Sequence, residues 1–169
     1  AEEVSTGPTI TTSSTLAAFN SAVGTPSAQQ SYTVSGTNLT DAIVITPPAD
    51  FELSLTNGTD FSTDPISLTP SGGTVSNTTI YVRLNPASPT TYSANITHTS
   101  TGATQKDVPV TGSSVPTIAT TSSMTAFSAA VGSYSAEQFY AVSGINLTAN
   151  IAIAAPADFE ISTSSGGPF

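Results

Sequence analysis

The sequence predicts an all-β protein built from Ig-like antiparallel β-sandwich repeats, one complete and one half unit. Three observations carry this. Pro8 to Gly58 recurs without insertion or deletion from Pro116 to Gly166, an offset of 108 residues. That length suits a single sandwich domain able to bury its own core, and it is far longer than a solenoid repeat. Short apolar/polar alternations closed by Gly, Pro or Asn fill each copy, and strong helix formers are scarce in a chain dominated by Ser and Thr.

Residues 1–7 read as a linker end, 8–115 as the first repeat and 116–169 as the first half of a second. PTITTSS contributes Ile10 to an edge or sheet-switching strand. In LAAFNSAVG the spacing of Leu16, Phe19 and Val23 would suit a helical turn, but Gly24 and Pro26 end it, so a loop dropping apolar anchors into the core is expected. Clean alternation follows: Tyr32 and Val34, then Ile43 and Ile45, then Phe51, Leu53 and Leu55. NTTIYVRLNP, TTYSANITHTS and KDVPVTG continue the pattern, which makes seven or eight strands. Val82 and Leu84 point inward, Tyr81 and Arg83 outward, and Pro109 places the last strand at an edge or a bulge.

The two copies test one another, because inward residues must keep their size while outward ones drift. Ile10/Ile118, Phe19/Phe127, Tyr32/Tyr140, Val34/Val142, Ile43/Ile151, Ile45/Ile153 and Phe51/Phe159 correspond, whereas Thr33, Val44 and Thr46 each become alanine. Tyr32, Ile43, Phe51 and their twins are expected to be buried contacts between facing layers. Residues 116–169 supply about four strands with an uncovered apolar face. This half unit should not be stable alone, and is expected to be completed by the rest of an array or by strands from another chain, or else to aggregate. The second copy stops at Phe169, so the sequence reads as an excerpt of a longer array.

The net charge of −9, with Arg83 and Lys106 the only cations, disfavours phosphate backbones and anionic membrane surfaces. Nucleic acid is excluded as a partner. No apolar run reaches the ~20 residues of a membrane-spanning helix, so no membrane insertion is expected. With no cysteine, disulfides, thiolate metal sites and a cysteine nucleophile are absent too.

The pattern TLAAFNSAVGTPSAQQSYTVSGTNLT, ITPPADFELSLTNG, TTIYVRLNP, TYSANITHTS and VTGSSVPTI resembles the Ig-like repeats of large secreted and cell-surface proteins of Bacteroidetes-type bacteria. Such repeats form adhesin-like arrays or stand beside secreted enzymes. The resemblance implies an extracellular or cell-surface location and a non-catalytic role as spacer, stalk or adhesin array, with neighbouring repeats as partners. Two alternatives accompany it: an accessory module of a secreted hydrolase or nuclease, and a glycan- or calcium-dependent adhesive module. In one place the chain departs from the pattern, since Gly is expected more often than Asp50 before Phe51.

Candidate chemistry is sparse, and no catalytic or cofactor-binding residue is assigned. His98, the single histidine, lacks a glycine-flanked nucleophile elbow and reads as a strand residue near a loop. Asp50 with Glu52, repeated as Asp158 with Glu160, has the composition of a glycosidase pair, but reads as solvated carboxylates on one outer strand face, with Asp50 accepting amide hydrogens in the turn after Pro48. Asn57, Asp60 and Asp64, with Ser62, place oxygens at intervals in NGTDFSTDP and are the least weak metal candidates, for calcium. A polar hairpin connection explains them more simply. Sequons at Asn38, Asn57, Asn77, Asn95 and Asn146 are expected by chance in so Ser/Thr-rich a chain, and Lys106 lacks an identifiable partner for an amide crosslink. Residues 109–118, with the Val115-Pro116 step, are expected to form an extended joint.

Overall fold

The computed structural model describes residues 7–13, 15–121 and 123–167; of the predicted linker, residues 1–6 lie outside them. The chain divides into two compact units, Ala1–Val115 and Pro116–Phe169.

Among the described residues of the first unit nine strands form two packed sheets. They are β1 (Thr9–Ser13), β2 (Phe19–Asn20), β3 (Gln30–Thr37), β4 (Ile43–Thr46), β5 (Phe51–Ser54), β6 (Ile66–Leu68), β7 (Val75–Leu84), β8 (Thr91–Thr99) and β9 (Lys106–Ser113). One sheet runs β1-β3-β7-β5 and the other β2-β9-β8-β4-β6. Successive strands β4 and β5 therefore belong to opposite sheets, with a turn at Pro48 to Phe51 making the switch. All pairings are antiparallel except β2 with β9, a two-residue parallel ladder that the sequence does not announce. This small ladder is how Phe19, in the anchoring loop, reaches the core.

Burial follows period two. Ile10, Tyr32, Val34, Ile43, Ile45, Phe51 and Leu53 from the first half meet Ile80, Val82, Leu84, Ile96, Val108 and Val110 from the second in one cluster. Phe51 sits at its centre, edge-on to Phe19 at 5.5 Å and to Tyr92 at 6.1 Å between ring centroids, an arrangement that adds to plain area burial. Pro109 lies opposite Asn95 on a continuous register, so the strand is an edge there without a bulge. One expectation fails: Leu55 is exposed, because β5 ends at Ser54, whose buried hydroxyl donates to the carbonyls of Thr56 and Thr59 and turns the chain away.

Gly36 marks a register shift in the β3/β7 ladder, and a Cβ there would lie 2.7 Å from Leu39 Cδ1 and 3.0 Å from the Thr9 carbonyl oxygen. The same crowding, against Leu147 and the Thr117 carbonyl, recurs at Gly144.

In the second unit only β10 (Thr117–Thr121) and β11 (Ala141–Ile145) form a ladder among the described residues. About four strands were expected; the segments around Ile151 and Phe159 carry no ladder. The expected burial of the twins fails as well. Tyr140 and Ile151 are half-buried, and Phe159 is 48% exposed where Phe51 is fully covered. The reason is physical: the residues that cover Tyr32, Ile43 and Phe51 come from β7, β8 and β9, and no such strands occur among the described residues of the second unit.

Candidate functional site

Three polar groupings in the first unit could carry chemistry. The first is internal. Register places His98 of β8 opposite Lys106, and its side chain points into the core with no exposure. Nδ1 lies 3.0 Å from the Lys106 carbonyl oxygen, so that nitrogen carries the proton and donates. Nε2, left as an acceptor, receives the Tyr32 hydroxyl at 2.8 Å. Burial pushes the His98 pKa down, against the opposing pull of the Lys106 carbonyl and the Asp107 charge, and burial raises that of Tyr32. The pair is thus held neutral. Among the described residues no serine or threonine hydroxyl hydrogen-bonds to the imidazole, and the ring is shielded from solvent. Its being a core residue is what sequence reasoning missed; the signal available was its position two residues from inward Ile96.

The second grouping lies on the outer face of β5 and β7. Glu52 receives Arg83 Nε at 2.6 Å and Asn85 Nδ2 at 2.8 Å, while the guanidinium stacks over Phe61 at 4.3 Å. This is the single ion pair among the described residues. It covers the outside of the ladder that joins Glu52 to Arg83 in register. Asp50 does not share that face. It occupies the turn with φ of +64°, and the bond that closes the turn runs from Phe51 N–H to the Pro48 carbonyl oxygen. The position therefore demands a left-handed backbone, which explains why glycine is the expected residue there.

The third is the loop from Asn57 to Asp64. Asn57 Oδ1 accepts from Gln29, Asp60 Oδ2 from Thr59 at 2.9 Å, and Asp64 Oδ2 from Ser62 at 2.9 Å. Asp60 and Asp64 thus bond within the loop and Asn57 bonds to Gln29 outside it, and no group of three acidic or histidine side chains among the described residues is arranged to hold a metal. Asp60, Ser62 and Asp64 border a shallow recess of about 270 Å³ beside Leu53 and Ile66. A second recess, about 440 Å³, lies at Ala42 and Thr99. Both open broadly to solvent, unlike the enclosed clefts that bury small ligands.

The joint is shorter than expected, since β9 runs to Ser113 and β10 begins at Thr117. Ser114 is completely buried: its N–H donates to the Thr90 carbonyl at 2.9 Å, its hydroxyl donates to the Ser88 carbonyl at 2.7 Å and accepts from Thr90 N–H at 3.0 Å. The end of the first unit is clamped rather than frayed. Lys106 is exposed at the start of β9, and Asn38, Asn57, Asn77 and Asn95 are exposed on turns and strands. None of the described residues forms a helix long and apolar enough to cross a membrane.

No family model matches the chain, and no curated protein matches it.

Proposed function

We propose that the chain is a non-catalytic structural part of an extracellular or cell-surface protein, a spacer, stalk or adhesin array of tandem sandwiches. The observation that carries this reading is the repeat itself, which extends from sequence to backbone. Asn38, Asp50, Gly24 and Gly58 take positive φ of 56°, 64°, 74° and 84°, and Asn146, Asp158, Gly132 and Gly166 take 57°, 65°, 80° and 63°. Sequence and conformation repeat together, which is how length is built from self-sufficient units. Among the described residues every buried side-chain polar atom has a partner, and the recesses at Asp60 and Ala42 are open rather than enclosed, which supports a passive role over a catalytic one. The resemblance to secreted and surface repeats supports the location, and the scarcity of lysine and arginine, which removes trypsin-type cleavage sites, suits it.

The test is geometric. β7 has ten residues and spans about 34 Å at ~3.4 Å per residue. Chains in which residues 8–115 are repeated two, four and six times should lengthen in small-angle scattering by a constant increment, roughly 35 Å per copy. A maximum dimension that grows only as a compact globule would defeat the spacer reading.

A further inference from the structure

The second unit is not a loosened copy of the first. It keeps the first unit's turns, side-chain clasps and β1/β3 ladder while its other segments lack their sheet neighbours. Gln30 ties its amide to both backbone groups of Ala17, at 2.8 and 2.9 Å, and Gln138 does the same to Thr125, at 2.8 and 3.0 Å. Phe127 and Phe159 meet edge-on at 5.5 Å, as Phe19 and Phe51 do. The turn bond from Phe159 N–H to Pro156 measures 3.1 Å, equal to that from Phe51 to Pro48. Glu137 holds Ser165 and Gly166, the counterparts of Asn57 and Gly58 held by Gln29.

Where the copies part is equally specific. In the first unit β3 begins at Gln30, and its residues 30–32 pair with β7 alone, whereas β1 covers 33–37. In the second unit the strand begins only at Ala141, so the missing counterparts of 30–32 are the residues that β7 would pair. Residues 159–162 likewise lose the ladder that β5 makes with β7. Two segments, already shaped by their own turns, are therefore the counterparts of those that flank β7, between β3 and β5, in the first unit.

We propose that this position is an acceptor slot for a β7-type strand, supplied by the second half of a repeat of this kind. The occupant's chemistry follows from β7. Its inward residues, Ile80, Val82 and Leu84, alternate to cover the half-buried Tyr140 and Ile151 and the exposed Phe159 and Ile161, as they cover Tyr32, Ile43, Phe51 and Leu53. Its outward Arg83 equivalent meets Glu160, which is exposed and has no ion pair among the described residues. Its outward Tyr81 equivalent lies opposite Phe139, 93% exposed where the first unit has Ser31. Glu160 thus selects an arginine, and Phe139 an aromatic, at adjacent outer positions. The inference takes the identity of the occupant from the repeat but does not need the spacer role, whose scattering test is independent of it.

The experiment adds a synthetic peptide with the sequence of residues 74–85 to the isotopically labelled full chain and follows amide exchange by NMR. The expected result is saturable binding, with slowed exchange confined to residues 138–142 and 159–162. An Arg83→Glu peptide should bind about fivefold more weakly, within the range of a partly exposed ion pair, and a Glu160→Lys chain should restore its binding. Overturning results are absence of saturable binding, equal binding of a scrambled peptide, or protection appearing in the first unit instead.

Discussion

Replacing Tyr32 by Phe removes one oxygen from the middle of the first sandwich and should cost far more than its volume implies. The hydroxyl donates to His98 Nε2 over 2.8 Å, and both side chains are buried. Without it the imidazole keeps a lone pair that neither protein nor solvent reaches, a penalty of about 1–3 kcal/mol. At the ~1–3 kcal/mol per molar slope usual for small domains in urea, the unfolding midpoint should fall by roughly 1 M. Acidity provides the second readout. The folded pKa of His98 is depressed below its ordinary value of 6.5, chiefly by burial. The unfolded chain then binds the proton first as pH falls, so this contribution to stability is complete above pH ~6.5 and is lost progressively below it, by up to about 1.4 kcal/mol per pH unit. In Tyr32→Phe the Nε2 lone pair no longer accepts a hydrogen bond, so the acid loss should be shallower. As the sole histidine, His98 gives one imidazole NMR signal, and in the folded parent it should titrate below its unfolded midpoint. A Tyr32→Phe chain with an unchanged urea midpoint at pH 8, or a parent imidazole titrating at its ordinary pH, would refute the buried-pair account.

Asp50→Gly should stabilise the first unit by about 0.5–1 kcal/mol, because φ of +64° strains an aspartate and not a glycine; thermal melts would read this, and Asp50→Val should move the opposite way. Ser114→Ala should cost about 1–3 kcal/mol, since it strips a buried hydroxyl from Thr90 N–H and the Ser88 carbonyl; hydrogen exchange should show the loss as earlier opening at the end of β9. Glu52→Ala should cost no more than about 1 kcal/mol in urea unfolding, because its partner Arg83 is 27% exposed and screened by solvent.

Much of the fold was legible because the sequence contains its own control. Residues kept between copies, such as Ile43 and Phe51, proved inward, and residues that drifted, such as Val44 and Thr46, proved outward. What escaped were features that depend on non-local partners or on local backbone shape. The parallel pairing of Phe19 and Asn20 with Gly112 and Ser113 joins segments some ninety residues apart and has no periodic signature. Leu55 continued the alternation on paper, but Ser54 captures two carbonyls and ends the strand. His98 looked peripheral because histidine is polar; its partner Tyr32 lies 66 residues away. Of the candidate site residues, Asp50 and Glu52 were legible as a repeated pair but not as separate devices, one a turn and the other an ion-pair anchor.

The two units also separate what a half-repeat encodes for itself from what it borrows. Turns at Asp50 and Asp158 and the glutamine clasps at Gln30 and Gln138 form in both, since every partner lies within the first half. The β1/β3 ladder also recurs, as β10/β11, whereas the ladders that β3, β4 and β5 make with β6, β7 and β8, and the burial that goes with them, do not, since those partners lie in the second half. Phe127 makes the point in energetic form. It keeps its edge contact with Phe159 yet is 37% exposed, against 2% for Phe19. Truncating Phe19 to Ala should therefore cost the ~3–5 kcal/mol of a buried aromatic, read as a lost unfolding transition of the first unit. Truncating Phe127 should cost much less, because its ring is already partly exposed. Equal costs at the two positions would mean that the local half, and not the covering strands, supplies the core's stability.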